Sequence, residues 1–283
     1  MPFQKVLIAI DGSQFSKIAM DYAFWLTAKL DAELSAQHVL DSRLVTLFVE
    51  PAFAEELGFG ASIEIKEKVY GALRKIGRVI LDTYVREATE KRLKTTTHLD
   101  EGHIIDEIYK RADDSDLLIL GHRSDNHAPL PSEIVVGSIA ERVVVSTSKP
   151  VLICVQPLEE IKEITVAFDG SEPSIGALLM AEQLAKYVDL PLRAIVVALN
   201  ADHISEAHAT VEKGEKYLRE AWPNEVFSVE EGHPAKVLMD YSAKCHSILA
   251  LGAYGYRNPE DNVLGSTTTN LLRHTKSSVL IYR

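Results

Sequence analysis

Lys5-Val6-Leu7-Ile8-Ala9-Ile10-Asp11-Gly12-Ser13 returns later in the chain as Glu163-Ile164-Thr165-Val166-Ala167-Phe168-Asp169-Gly170-Ser171. In each stretch an apolar run of strand length stops at Asp-Gly-Ser, a turn signal that also supplies a helix cap. The match continues at one constant offset, pairing Ala19 with Ala177, Ala23 with Ala181, Leu26 with Leu184, Asp31 with Asp189, Leu34 with Leu192 and Val39 with Val197. Further along, Glu101-Gly102-His103 answers to Glu231-Gly232-His233, and Leu118-Ile119-Leu120-Gly121 to Leu249-Ala250-Leu251-Gly252. Gly137-Ser138 then pairs with Gly265-Ser266, and Val151-Leu152-Ile153 with Val279-Leu280-Ile281. Landmarks in one order across two halves indicate a tandem duplication. The polar connection Gln156-Pro157-Leu158-Glu159-Glu160 is the expected boundary, giving units 1–156 and 160–283.

Within each unit short apolar runs alternate with helical patterns, which predicts α/β architecture with a parallel sheet and crossover helices. The first unit reads as strands 6–10, 34–40, 96–99, 117–121 and 151–154, with helices 13–30, 63–94, 104–112 and 137–146. The second follows the same order with a shorter second helix, about 205–221, and a last helix, 267–275. The expected fold is thus two doubly wound, Rossmann-like, five-stranded parallel-sheet domains in tandem. Ligands of such sheets bind beyond the carboxyl ends of the strands, where the strand order reverses. Between Asp41 and Arg92 the first unit also carries Phe48, Val49, Phe53, Ala54, Leu57 and Phe59 without clear periodicity. This stretch reads as a lid packed on its own domain, with an apolar ligand or a partner as the alternatives.

With 283 residues, 46% hydrophobic and 25% charged, the chain has globular composition and enough length for two cores. Its net charge of -11 argues against nonspecific binding to nucleic acid or to an anionic membrane, since both need a basic face. No apolar run approaches the roughly 20 residues of a membrane span and no signal-peptide pattern opens the chain, so a soluble, cytoplasmic protein is expected. Cys154 and Cys245 are too few for a disulfide framework and read as small core residues.

The stretch with chemistry is Gly252-Ala253-Tyr254-Gly255, followed after nine intervening residues by Gly265-Ser266. It joins a buried strand to a helix start, an arrangement that receives phosphate: glycines let backbone amides approach an anion, and the helix dipole favours negative charge. Asp169 ends the first strand beside the same crevice, where its carboxylate can accept from a sugar hydroxyl or hold a metal ion against phosphates. Ser266 offers a hydroxyl and an amide, and Arg257 offers charge. Each of these residues taken singly is also a plain turn or cap residue; their order in a repeated βα frame is what points to a site.

This pattern, with the Asp-Gly-Ser end of the first strand, resembles the nucleotide-binding signature of the universal stress protein family, and the resemblance covers both halves. It implies that Asp169 and the backbone around Val197 meet adenine and ribose. It further implies that Gly252, Gly255, Gly265 and Ser266 cradle the phosphates, with Thr268 assisting. The implied ligand is ATP with a divalent ion such as Mg, and the implied role is a nucleotide-dependent sensor in stress resistance. An interaction module needing no nucleotide and a slow ATPase are the alternatives. Family dimers pair their last strands, so Val151 to Cys154 is expected to pair with Val279 to Tyr282 as an intramolecular pseudo-dimer, with a further homodimer open.

Copy one departs from the pattern. Gly121 is followed by His122-Arg123-Ser124, and twelve residues, including Pro129 and Pro131, separate Ser124 from Gly137. A side chain where backbone must approach phosphate, on a longer loop, predicts that copy one binds nucleotide weakly or serves another purpose. Ten histidines, among them His103, His122, His127, His203, His208 and His233, show no spacing that sets two ligands on one helical face with a third nearby; they read as surface or capping residues. No nucleophile elbow accompanies Gly137-Ser138 or Gly265-Ser266, and signatures of the adenylyl-transferring folds do not occur.

Overall fold

The computed structural model describes residues 3–43, 63–122, 139–218, 222, 225–254 and 264–283. The first half runs β1 (Lys5–Ala9), α1 (Gln14–Leu30), β2 (Glu33–Asp41), α2 (Ile63–Glu90), β3 (Thr95–Gly102), α3 (Ile104–Ala112), β4 (Leu117–Gly121), α4 (Ile139–Ser146), β5 (Val151–Cys154). The second runs β6 (Glu163–Ala167), α5 (Glu172–Val188), β7 (Leu192–Ala198), α6 (Ile204–Glu215), β8 (Phe227–Glu231), α7 (Pro234–Cys245), β9 (Ser247–Gly252), α8 (Ser266–His274), β10 (Val279–Tyr282). The apolar stretch Phe48 to Phe59, Ser124, Pro129, Pro131, Gly137, Ser138, Gly255 and Arg257 lie outside the described residues.

Local chemistry explains the shared frame. Ser13 and Ser171 stand in extended conformation before α1 and α5, and their hydroxyls accept from the amides of Ser16 (3.1 Å) and Ser174 (3.4 Å). Both helices end at an aspartate in the left-handed region, Asp31 (φ 49°) and Asp189 (φ 58°). Aspartate is among the few residues with a side chain that occupy this region readily.

The two halves do not form separate sheets. Ten strands join in the order β3-β2-β1-β4-β5-β10-β9-β6-β7-β8. Pairing is parallel within each half. At the centre β5 and β10 pair antiparallel, with Ile153 opposite Val279, Leu152 opposite Leu280 and Val151 opposite Ile281. The expected seam is therefore present. The strands alternate sides across it: Leu152 and Leu280 join the core under α1, α2, α5 and α6, while Val151, Ile153, Val279 and Ile281 join the core under α3, α4, α7 and α8. All six are fully buried, and each contributes about 1.5–3 kcal/mol of apolar burial.

A buried polar relay stitches the seam. Tyr22 Oη donates to Gln156 O (3.1 Å) and accepts from Ser278 Oγ (2.9 Å), which accepts in turn from the Val155 amide (3.1 Å). Gln156 Nε2 donates to Ser247 O (3.2 Å). Burial pushes the Tyr22 phenol far above its ordinary range, so it stays neutral.

Three sequence expectations need correction. Cys154 is buried, but Cys245 is only partly covered, because it falls in the last turn of α7 beside the helix end. The helix expected over 205–221 stops at Glu215. There a Cβ on Gly214 would stand 2.5 Å from the Phe227 ring, so the helix end is pressed onto β8 through a glycine. The third strand runs from Thr95 to Gly102, longer than its apolar pattern, because it follows β2 in unbroken register from Leu34↔Thr95 to Asp41↔Gly102.

Tyr22→Phe strips a donor from Gln156 O and an acceptor from Ser278. It should cost about 1–3 kcal/mol in urea denaturation, while Tyr217→Phe at an exposed position should stay within about 0.5 kcal/mol. Cleaving the backbone between Pro157 and Glu160 should leave the two halves co-eluting in gel filtration, because the seam holds them without the connection.

Candidate nucleotide site

Beyond the carboxyl ends of β6, β7 and β9, where the strand order of the second half reverses, lies a cavity of about 590 Å³. That falls within the range of about 300–1,000 Å³ usual for small-molecule sites. Asp169, Val197, Gly252, Gly265, Ser266 and Thr268 all line it.

Asp169 follows β6 on an exposed turn. Its Oδ1 accepts from the Ser171 amide (2.9 Å) and the Ser171 hydroxyl (2.5 Å), while Gly170 takes φ +77° to let the chain turn. Asp11 Oδ1 makes the corresponding bond to the Ser13 amide (2.9 Å). The aspartate thus both braces the N-cap serine of α5 and sets a carboxylate at the mouth of the cavity. Val197 lies within β7, paired with Glu230 of β8, so its backbone is held rigidly at the crevice.

The two described glycines of the loop are there for different reasons. A Cβ on Gly252 would come within 2.5 Å of Pro173 Cβ and 2.7 Å of Pro173 C, so this glycine lets α5 press against the end of β9. Gly121 meets Phe15 in the same manner, at 2.7 Å from its carbonyl carbon. Gly265 is under no such demand: its φ is -58°, and an added Cβ would meet nothing nearer than Tyr254 O at 3.6 Å. Space in front of Gly265 is space a ligand can use.

Gly265 also caps α8 without a side chain. Its own amide donates to Ala253 O (3.2 Å) and its carbonyl accepts from the Thr269 amide (2.9 Å). The amides of Ser266, Thr267 and Thr268 open the helix, where no intrahelical acceptor exists, and together with the helix dipole they favour an anion. The Thr268 hydroxyl is buried and donates to Gly252 O (3.2 Å), tying the helix start to the strand end. What Thr268 can offer a ligand is therefore its backbone.

Sequence reasoning missed the wall opposite. His203, Glu206 and Thr210 line the cavity from the start of α6 and the turn before it. Lys213 Nζ donates to Gly170 O (2.5 Å), bringing positive charge beside the Asp169 turn. The spacing 203, 206, 210 does mark one helical face. The repeat comparison gave no landmark there because the two second helices differ in length.

Contacts across the seam bind this region to the other half, among them the ion pair of Arg273 with Glu141 (2.9 Å). Arg283 lies over the Tyr254 ring, 4.9 Å from its centroid, and donates to Val144 O (2.8 Å) and to Val145 O. Burial lowers the Arg283 pKa and raises that of Tyr254. His122, expected to be a surface or capping residue, is instead buried, because the seam sets the end of β4 against α8. Its Nε2 lies 2.7 Å from Leu272 O and so carries the proton that the carbonyl accepts. Counted from Gly137 and Gly265, Val144 and Leu272 are matched positions of the two copies. His103 and His233 do stand at helix N-cap positions. Among the described residues no three His, Cys, Asp or Glu side chains gather to hold a metal ion, and no helix is long and apolar enough to cross a membrane.

The family model described as "Universal stress protein family" matches residues 2–155 and again 160–283. The chain belongs to the universal stress protein family. Universal stress protein Slr1230 of Synechocystis sp. is 24% identical over 289 residues, covering 99% of this chain and 100% of its own. Universal stress protein MJ0531 of Methanocaldococcus jannaschii is 31% identical over 161 residues, 56% of this chain and 85% of its own. Among solved structures, a universal stress protein from Archaeoglobus fulgidus superposes with a TM-score of 0.73 at 18% identity, covering 100% of this chain and 97% of its own. That last likeness is one of fold, and it extends to the tandem arrangement.

In this universal stress protein Gly252→Ala should cost about 1–3 kcal/mol in urea denaturation, the usual penalty of forcing atoms into a closed contact. Gly265→Ala should cost no more than about 1 kcal/mol, the scale of a helix-cap change.

Proposed function

We propose that this chain is an ATP-binding regulator of the universal stress protein family, in which the unit 160–283 holds the nucleotide and the unit 1–156 does not hold it in the same way. One observation carries the reading: the described residues that the family pattern marks, drawn from the turn after β6, from β7 and β9 and from the start of α8, converge on one cavity at the strand-order reversal. In this reading adenine and ribose lie against Val197 and Asp169, and the phosphates meet the open amides of Ser266 to Thr268 in front of Gly265. A magnesium ion would be held mainly by the phosphates and water, with Asp169 as the nearby carboxylate.

Three hydroxyls beside the cavity are engaged by the fold and not set up as covalent nucleophiles. Ser171 donates to Asp169, Ser174 to Ser171 O and Thr268 to Gly252 O, so each serves the fold and none is paired with a histidine as a base.

Calorimetric titration of the full chain with Mg-ATP should give about one site per chain. Gly265→Val, which fills the space before the helix amides, should weaken binding by at least about 100-fold, or roughly 2.7 kcal/mol. Asp169→Ala should weaken it by about tenfold or more. Two equal sites per chain, or no binding of adenine nucleotide, would defeat the proposal.

A further inference from the structure

The first half has a cavity of its own, about 550 Å³, beyond the carboxyl ends of β1, β2 and β4. The wall that covers it has changed character. Ile80 of α2 and Thr210 of α6 occupy the same place in the two halves: each is the side chain a Cβ on the turn glycine would meet first, Ile80 at 3.1 Å from Gly12 and Thr210 at 3.3 Å from Gly170. With these two aligned, a single offset of 130 residues sets Leu73 against His203 and Ile76 against Glu206. All six line their respective cavities. A helix face that is His, Glu, Thr over the second cavity is Leu, Ile, Ile over the first.

The change is directed at the cavity. Ile76 remains 56% exposed at its rim, an apolar side chain whose contact with water a ligand would relieve. Ile10, Val39 and Leu120 continue the apolar surface inward. Neither cavity has a lysine or arginine among its described lining residues, and Asp41 at the rim of the first is already paired with Arg43 (Nη2 to Oδ2, 2.7 Å), so the two differ in the helix face over them and not in their carboxylates.

One polar group at the floor is new to this half. Gln37 is fully buried where the second half has Ile195. Its Nε2 donates to Asp100 Oδ2 (2.8 Å) and to Glu107 O (2.9 Å), and two such acceptors fix the amide the right way round. That leaves Oε1 without a partner, but the whole side chain is sealed from solvent, so the cavity offers a ligand its apolar wall and not this amide.

We infer that the first half binds a second class of ligand: an uncharged, largely apolar small molecule, aromatic or alicyclic. The site is independent of the nucleotide reading, since it shares no residue with the second cavity.

N-phenyl-1-naphthylamine has this chemistry, a neutral aromatic body, and it fluoresces when removed from water. Titrated into the full chain, it should give a saturable rise with about one probe per chain, unchanged by saturating Mg-ATP. Ile76→Glu, at a position already open to water, and Ile80→Glu, on the wall, should each weaken the probe by about tenfold or more, the cost of putting charge in an apolar site. Thr210→Glu, the matched position over the second cavity, should change it by less than about twofold, with circular dichroism melts confirming that all three variants fold. Absence of a saturable signal, displacement by ATP, or indifference to both isoleucine substitutions in folded protein would overturn the inference.

Discussion

The antiparallel pairing of Val151–Ile153 with Val279–Ile281 is the contact on which this molecule depends. Each half alone would present a short, wholly apolar last strand at a sheet edge, with unpaired amides and carbonyls. Such an edge pairs with whatever strand it meets. Placing both copies on one chain makes the partner permanent and raises its effective concentration. The Tyr22 relay then makes the seam particular, since its hydrogen bonds are satisfied in this register and lost in a shifted one.

Much of this was legible because duplication supplied an internal comparison. The strand–turn–cap unit around Asp11 and Asp169 and the aspartates that end α1 and α5 follow from residues recurring in one order, while the pairing of the last strands was implied by the family resemblance. The site was legible more in membership than in mechanism. Gly252 and Gly265 look alike in sequence, yet one admits Pro173 and the other leaves space open, and a glycine reads identically in either case. His122 was misjudged because its burial is created by the other half of the chain, at a separation of 150 residues that no local pattern reports. The α6 wall was missed since the repeats lose alignment where their helices differ in length, although the helical spacing of His203, Glu206 and Thr210 was readable.

The halves thus show how a duplicated fold diverges without moving its framework. Caps, strand register and the close glycine contacts at Gly121 and Gly252 are kept in both, because each is demanded by packing. Side chains that only face the crevice are free to change, and they have done so in a concerted way along one helix face. Polar groups stand over the cavity whose helix start offers amides to an anion, and branched aliphatic groups stand at the matched positions over the other.

Because the seam is antiparallel, the carboxyl ends of β1 to β5 and of β6 to β10 point to opposite rims of the sheet. The two crevices therefore open away from each other, and their occupants share no wall and can neither touch nor exclude one another. Any influence of one upon the other has to travel through the framework. The struts that span it are in place at both rims: His122 reaches from the end of β4 to Leu272 O, and Arg283 from beside Tyr254 to Val144 O, the same carbonyl of each copy held by the opposite half. The sheet is in this sense a beam loaded at both ends, with its fulcrum at the strand pair in the middle.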